Sequence, residues 1–185
     1  MRKPLLLLSL IAFTLPALSG SLAEVTLPET AVVGGKTLQL NGLGLRKKMM
    51  FKVYVGGLYL EKKSGDAAAI IAADAPKRVV MHFIYSEVSK AKMVEAYSEG
   101  FKNNAAGQMG ALKAQIDQFL GALDTMKEGE EMSVTYLPGT GTTLAIRGKD
   151  VLTVPGLDFA KALFSVWLGA APPTEDLKNG LLGKS

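Results

Sequence analysis

The 185-residue chain has no cysteine, a single histidine and a single tryptophan. Without cysteine there is no disulfide, no thiolate metal ligand, no nucleophilic thiol and no lipid-modified cysteine, so the fold must hold by packing. One histidine cannot supply the usual zinc sets or nucleophile–base pairs, and His82, between Met81 and Phe83 in a strand-like run, reads as structural. No metal and no cofactor are expected. A strong charge of one sign is missing too, with 21 Lys and Arg against 17 Asp and Glu, which is no nucleic-acid footprint. Beyond the N-terminus no apolar run approaches the ~18 residues of a membrane-crossing helix.

What the chain does have at its start is the pattern of an export signal. Arg2 and Lys3 precede an apolar run over residues 5–13, and Ser21-Leu22-Ala23 offers small residues at the third and first positions before a cut. The expectation is a signal peptide over residues 1–23 and one domain over residues 24–185, periplasmic or secreted, with no stable membrane anchor after cleavage. Removing Arg2 and Lys3 leaves 19 bases against 17 acids, so charge can act only through local clusters.

There is no internal repeat and no low-complexity linker. Gly34-Gly35 between apolar runs predicts a tight hairpin, and Asn41-Gly42 a second turn of that kind. A long strand is expected over residues 49–60, a small Ala-rich helix over 66–73 and a strand over 78–85. Two amphipathic helices follow, over residues 87–102 with Met93, Tyr97 and Phe101 in one line, and over 108–126 with Leu112, Ile116, Phe119, Leu120 and Leu123 on one face. Met132, Val134 and Tyr136 then alternate with polar residues, and 138–141 turn the chain into a returning strand over 142–146. The turn 138–142 lacks the lysine of a phosphate loop. Glu128, Glu130 and Glu131 read as a solvated loop. A helix over 158–168 carries Phe159, Leu163 and Trp167 as core, and Thr174 caps a last helix with Glu175 and Asp176 near its positive dipole end. Strands at both ends with helices between and after them predict an α+β domain, an antiparallel sheet with helices layered on one face.

The stretch "NGLGLRKKMMFKVYVGGLYLE", residues 41–61, sets three bases beside the most hydrophobic strand. Alternation places Met49, Phe51, Val53, Val55 and Tyr59 on one face, read as the core, and Met50, Lys52, Tyr54 and Leu58 on the other, read as a cleft wall. Gly56-Gly57 predicts a bulge or a close approach by another backbone or a ligand. Lys47 and Lys48 read as a solvated turn, and Lys52 as part of the wall or a side chain snorkelling at a sheet edge. Arg46 either anchors an anionic group with its planar fork of donors or braces the turn.

This stretch resembles the early strand region of the chalcone isomerase-like family, where a Gly-x-Gly-x-Arg turn leads into a strand ending in Gly-x-Tyr-Leu. "GLDFAKALFSVWLGAAPPTEDLKNGLLG", residues 156–183, resembles the C-terminal helices of that family, in particular its exported bacterial branch. The resemblance implies an open-faced β-sandwich with a cleft between sheet and helices. It also implies a site: the arginine that holds the substrate's phenolate in the plant isomerases falls on Arg46, and the strand threonine on Tyr54. The tyrosine that orders water falls near Val88, the asparagine near Glu95 and the late hydroxyl residue near Val166, so the acid–base equipment is mostly replaced.

The function implied is a non-catalytic, exported, monomeric protein holding a small amphipathic or hydrophobic ligand, fatty-acid-like or phenolic, with Arg46 as polar anchor and Lys52 and Tyr54 as wall. Two alternatives stand beside it: an intramolecular lyase of the chalcone–flavanone type, and an envelope interaction module whose cleft is plugged by its own side chains.

Overall fold

The computed structural model describes residues 19–184; Arg2, Lys3 and the apolar run over 5–13 lie outside them. The described chain opens with a hairpin of β1 (Ser19–Leu22) and β2 (Val25–Pro28), turned by Ala23 and Glu24 at positive φ. Next come β3 (Thr30–Val33), β4 (Lys36–Lys48), β5 (Phe51–Leu60), α1 (Ala67–Ala72), β6 (Lys77–Phe83), a short β7 (Glu87–Val88) and α2 (Lys90–Ala105). The remainder is α3 (Lys113–Ala122), a short β8 (Met126–Lys127), β9 (Glu131–Leu137), β10 (Gly141–Ile146), β11 (Lys149–Val154), α4 (Leu157–Leu168) and α5 (Glu175–Leu181). Seven strands form one antiparallel sheet in the order β11-β10-β9-β6-β5-β4-β3. This is the expected α+β arrangement, with helices packed on one face of the sheet.

Period-two patterning sets the sheet's inner face. Val79, Met81 and Phe83 of β6 and Met132, Val134 and Tyr136 of β9 are buried, while the residues between them are only partly covered. Onto that face pack Met93, Tyr97 and Phe101 of α2, Ile116 and Phe119 of α3, and nearly all of α4, which lies between the sheet and its neighbours and so is apolar around its circumference. Ring contacts Tyr97–Phe119 at 5.1 Å, Phe119–Phe159 at 5.9 Å and Tyr97–Trp167 at 5.7 Å tie the three helices together. Each such fully buried side chain contributes roughly 1.5–3 kcal/mol.

Several expectations are corrected. The strand read over residues 49–60 begins at Phe51, because Met49 and Met50 form the two-residue turn between β4 and β5, with Met49 at φ 56°. Asn41-Gly42 is not a turn but a register shift inside β4. The two faces of β5 exchange roles: Tyr54, Leu58 and Leu60 face the main core under the helices, whereas Val55 and Tyr59 face smaller clusters on the back of the sheet, covered in part by Val25 and Leu27 of β2. Strand β11 and the β1–β2 hairpin went unread. Glu130, read as solvated loop, accepts from Arg147 Nε at 2.7 Å, and Arg147 also donates to Asp124 at 2.9 Å and to the Thr125 carbonyl at 2.7 Å, stapling β10 to the loop after α3. His82 has its expected structural place, with Nδ1 3.1 Å from Glu131.

The glycines of β4 answer to α5. A Cβ on Gly42 would lie 2.1 Å from the Gly180 carbonyl oxygen, and one on Gly44 2.3 Å from that of Leu177. Helix and strand therefore meet backbone to backbone. Asn41 seals the contact, donating to the carbonyls of Leu181 at 2.8 Å and Ser64 at 3.0 Å and accepting from the Ser64 amide at 2.7 Å. A second buried polar group, Lys77, closes the end of α1 by donating to the carbonyls of Ile70 at 2.9 Å and Ala73 at 2.6 Å.

Candidate functional site

A cleft of about 260 Å³ opens between α2, the loop after α4 and the ends of β4 and β5. Its floor is apolar and fixed: Met81, Met93, Tyr97, Val166 and Trp167 are all buried core residues that also face the cleft. Its mouth is polar. Arg46 and Lys48 come from the end of β4, and Lys92, Glu95, Glu99 and Asn103 recur at helical spacing along the exposed side of α2. The site is thus a hydrophobic slot under a charged rim, the form that small amphipathic molecules fill.

Antiparallel pairing places Arg46 directly opposite Tyr54, so both side chains stand on the same face at the cleft. The Arg46 guanidinium also donates to the Lys47 carbonyl. Behind Tyr54, the Trp167 indole Nε1–H donates to the Tyr54 hydroxyl at 3.2 Å, across 113 residues of sequence. Burial pushes the Tyr54 phenol up to about 12, against smaller opposing effects of the Trp167 hydrogen bond and the Arg46 charge. At neutral pH it is therefore an uncharged phenol, a donor rather than a base. Tyr97, likewise raised by burial, directs its hydroxyl at Met81 Sδ, 3.5 Å away.

The structure brings Arg46 and Tyr54 together at one cleft but leaves Lys52 out of it. Lys52 is exposed and pairs across the hairpin with Lys47, on the far side of a register shift from the Arg46–Tyr54 pair. Of the positions that correspond to isomerase residues, Arg46, Tyr54, Glu95 and Val166 all line the cleft, and Val88 does not. Among these positions Glu95 sets an acid on the rim and Val166 an apolar side chain in the floor.

Some lining residues were legible only as core. Met93, Tyr97 and Trp167 have helical spacing that marks an inward face, and nothing local separates an inward face that meets a cleft from one that meets a neighbour. Asn104 had no signal at all. It donates to the carbonyls of Gly100 at 3.0 Å and Ala171 at 2.9 Å and accepts from the Ala171 amide at 2.9 Å, which holds the loop after α4 against α2 and fixes that edge of the cleft. Gly100 permits the approach of the helices, since a Cβ there would meet Val166 at 2.6 Å.

Among the described residues no helix is long and apolar enough to cross a membrane, and no cluster of His, Cys, Asp and Glu has the geometry of a metal site. A comparison with curated proteins finds no match. Among solved structures the chain is similar to the crystal structure of a fatty-acid-binding protein from Arabidopsis thaliana, with a TM-score of 0.69 over 89% of this chain and 95% of that one, at 15% identity. At that identity the likeness establishes the fold. The sequence model of chalcone isomerase-like proteins matches residues 19–183, which takes in every strand and helix described above. By its sequence, and with a fold that agrees, the chain belongs to the chalcone isomerase-like family.

Proposed function

We propose that this protein is a non-catalytic member of its family that binds a small amphipathic molecule, fatty-acid-like or phenolic, as a monomer in the cleft between sheet and helices. The observation that carries the reading is the pairing of a fixed apolar floor with Arg46 at the mouth. An apolar tail against Met81, Met93 and Val166 gains affinity by burial, at about 25 cal/mol per Å², and the guanidinium orients an anionic head by charge-assisted hydrogen bonds. Tyr54, its hydroxyl oxygen occupied by the Trp167 N–H, retains its own O–H to offer to the head group. The Arabidopsis protein of like fold, a fatty-acid-binding protein, agrees with this chemistry. A volume of about 260 Å³ lies just below the usual ~300–1,000 Å³ of small-molecule sites, which favours a short chain or a single ring system and speaks against a cleft filled by its own side chains.

An export signal over residues 1–23, read from the sequence pattern alone, belongs to the same proposal, with the protein working in a periplasm or outside the cell. Trp167, the only tryptophan, lines the cleft and reports on its occupancy. Titration with a series of fatty acids of increasing length, followed by Trp167 fluorescence, should give saturable changes with an optimum at short to medium chain. Arg46→Ala should weaken binding by roughly 1.5–3 kcal/mol without lowering the melting temperature. Absence of any saturable signal across the series, or a sharp loss of stability on Arg46→Ala, would sink the reading and leave Arg46 as a brace.

A further inference from the structure

The β4–β5 hairpin ends in a surface that the cleft does not explain. Met49 and Met50 are 90% and 86% exposed and Phe51 53%, three of the five large hydrophobic side chains left in solvent among the described residues. They sit together at one tip. Tight two-residue turns favour Gly, Asn or Asp, above all where φ is positive, and here Met49 occupies such a position at φ 56°. An apolar side chain is kept where both solvation and backbone geometry favour a polar or small one.

The tip is also the most basic stretch of the chain. Arg46, Lys47, Lys48 and Lys52 flank the apolar apex with no acid between residues 46 and 52, and Lys47 stands opposite Lys52 in the hairpin register. Like charges directly across a strand pair repel. None of the ion pairs among the described residues involves Lys47, Lys48 or Lys52, and of the three only Lys48 shares the cleft lining with acids, Glu95 and Glu99. Phe51 packs edge-on against Tyr85, with ring centroids 5.7 Å apart, which ties the base of the tip to the domain.

We propose that this tip docks on an anionic lipid bilayer. An apolar apex of two methionines and a phenylalanine enters the boundary between headgroups and acyl chains, while the surrounding lysines bury their aliphatic stems and hold their ammonium groups at the phosphates. A purely apolar apex would suit any hydrophobic partner; the ring of unpaired bases selects an anionic surface. Arg46 and Lys48 belong both to this tip and to the mouth of the cleft, so docking sets that mouth against the bilayer. The inference is independent of what the cleft holds.

The test is co-sedimentation of the full mature chain with vesicles of phosphatidylglycerol and phosphatidylcholine, against vesicles of phosphatidylcholine alone. Binding should appear on the first, be at least about tenfold weaker on the second, and fall as salt shortens the reach of the lysines. Lys47→Ala with Lys52→Ala should weaken it by about twenty-fivefold, from about fivefold per lysine near an anionic surface. Met49→Ser with Met50→Ser should weaken it at unchanged charge and melting temperature. Because the chain is free of cysteine, Met50→Cys carrying an environment-sensitive dye reports insertion directly, as a blue shift on anionic vesicles. Equal binding to both kinds of vesicle, no binding, no blue shift, or undiminished binding by the two double variants overturns the proposal, and absent binding would give the tip to a protein partner.

Discussion

The Trp167 indole N–H donates to the Tyr54 hydroxyl at 3.2 Å, and this one bond joins the helix that fills the centre of the core to the strand that forms the wall of the cleft. Both side chains line the open volume, so the bond sits where core ends and site begins. It fixes the direction of the Tyr54 phenol and, with it, the direction in which the remaining O–H can be offered.

Tyr54→Phe removes the acceptor and leaves a largely buried indole N–H without a partner. The expected cost is about 1 kcal/mol, the low end of the range for an orphaned donor because water can reach the cleft. The pH dependence follows from the same residue. Burial holds the folded phenol up at about 12, while in the unfolded chain it ionises near 10. Below pH 10 both states keep the proton and the residue contributes nothing to the slope. Between pH 10 and 12 the unfolded state loses it first, so stability falls with rising pH, by at most about 1.4 kcal/mol per unit from this group. Urea midpoints at pH 9 and 11 should fall further for the wild type than for Tyr54→Phe; equal falls would show that Tyr54 titrates alike in both states.

Gly44→Ala should damage the fold out of proportion to its size. The added methyl would lie 2.3 Å from the Leu177 carbonyl oxygen, a backbone atom that cannot rotate away, so α5 must lift from β4. A loss of about 3 kcal/mol or more is expected, beyond the usual cost of overpacking by one methyl. Gly121→Ala is the control: Gly121 lies within α3 with open space where its Cβ would be, and should gain about 0.5–1 kcal/mol. Denaturant midpoints of the two variants should move in opposite directions.

These glycines also show how far the sequence could be read. Asn41-Gly42 carries the usual chemistry of a tight turn, and local reasoning reads it so, because the helix that requires Gly42 and Gly44 lies some 135 residues further along. Met49-Met50 carries none, yet it is the turn. The faces of β5 were misassigned for a related reason: the strand is covered on both sides, so its two faces are nearly equally apolar and alternation alone cannot rank them. In β9, where the residues between the buried ones are only partly covered, period two was decisive, and the cap at Thr174 stood out because it depends on residues within a single turn. At the site, Tyr54 was legible from strand alternation and Arg46 from its place beside that strand, both with family likeness, while their cross-strand pairing was not. Lys52 shares the parity of Tyr54 but lies beyond the register shift at Arg46 and Lys47, which no periodicity reveals.

The N-terminus offers a direct measurement. A cut after Ala23 falls in the β1–β2 turn and would remove β1. In β1, Gly20, Ser21 and Leu22 are not buried, whereas β2 keeps Val25 and Leu27 buried against the sheet, and the Tyr59 hydroxyl donates to the Pro28 carbonyl at 2.8 Å. The domain should therefore tolerate the cut with little loss of stability. The mass of the protein recovered from its own compartment should correspond to a chain starting at Glu24; a mass that retains residues 5–13 would contradict both the signal and the localisation.

The last expectation concerns catalysis. To close a flavanone ring, a site must hold the phenolate and place a proton donor and an ordered water where charge develops, and a general acid–base group acts best with a pKa near the working pH. Arg46 at the mouth of the cleft offers a cation toward the first requirement. Tyr54 is held neutral, with its phenol up at about 12 and its oxygen accepting from Trp167, and Val166 presents only methyl groups to the cleft. Glu95 is exposed on the rim, and Val88 lies away from the cleft. Losing one positioned acid–base partner commonly forfeits about 10²- to 10⁴-fold in rate, and more than one is replaced here. Cyclisation of a chalcone in the presence of the protein should accordingly run within about tenfold of the buffer rate, the modest factor that one positioned cation can add. Absorbance progress curves decide it. Saturable turnover abolished by Arg46→Ala would restore the isomerase reading and require a proton relay built from residues other than those at the corresponding positions.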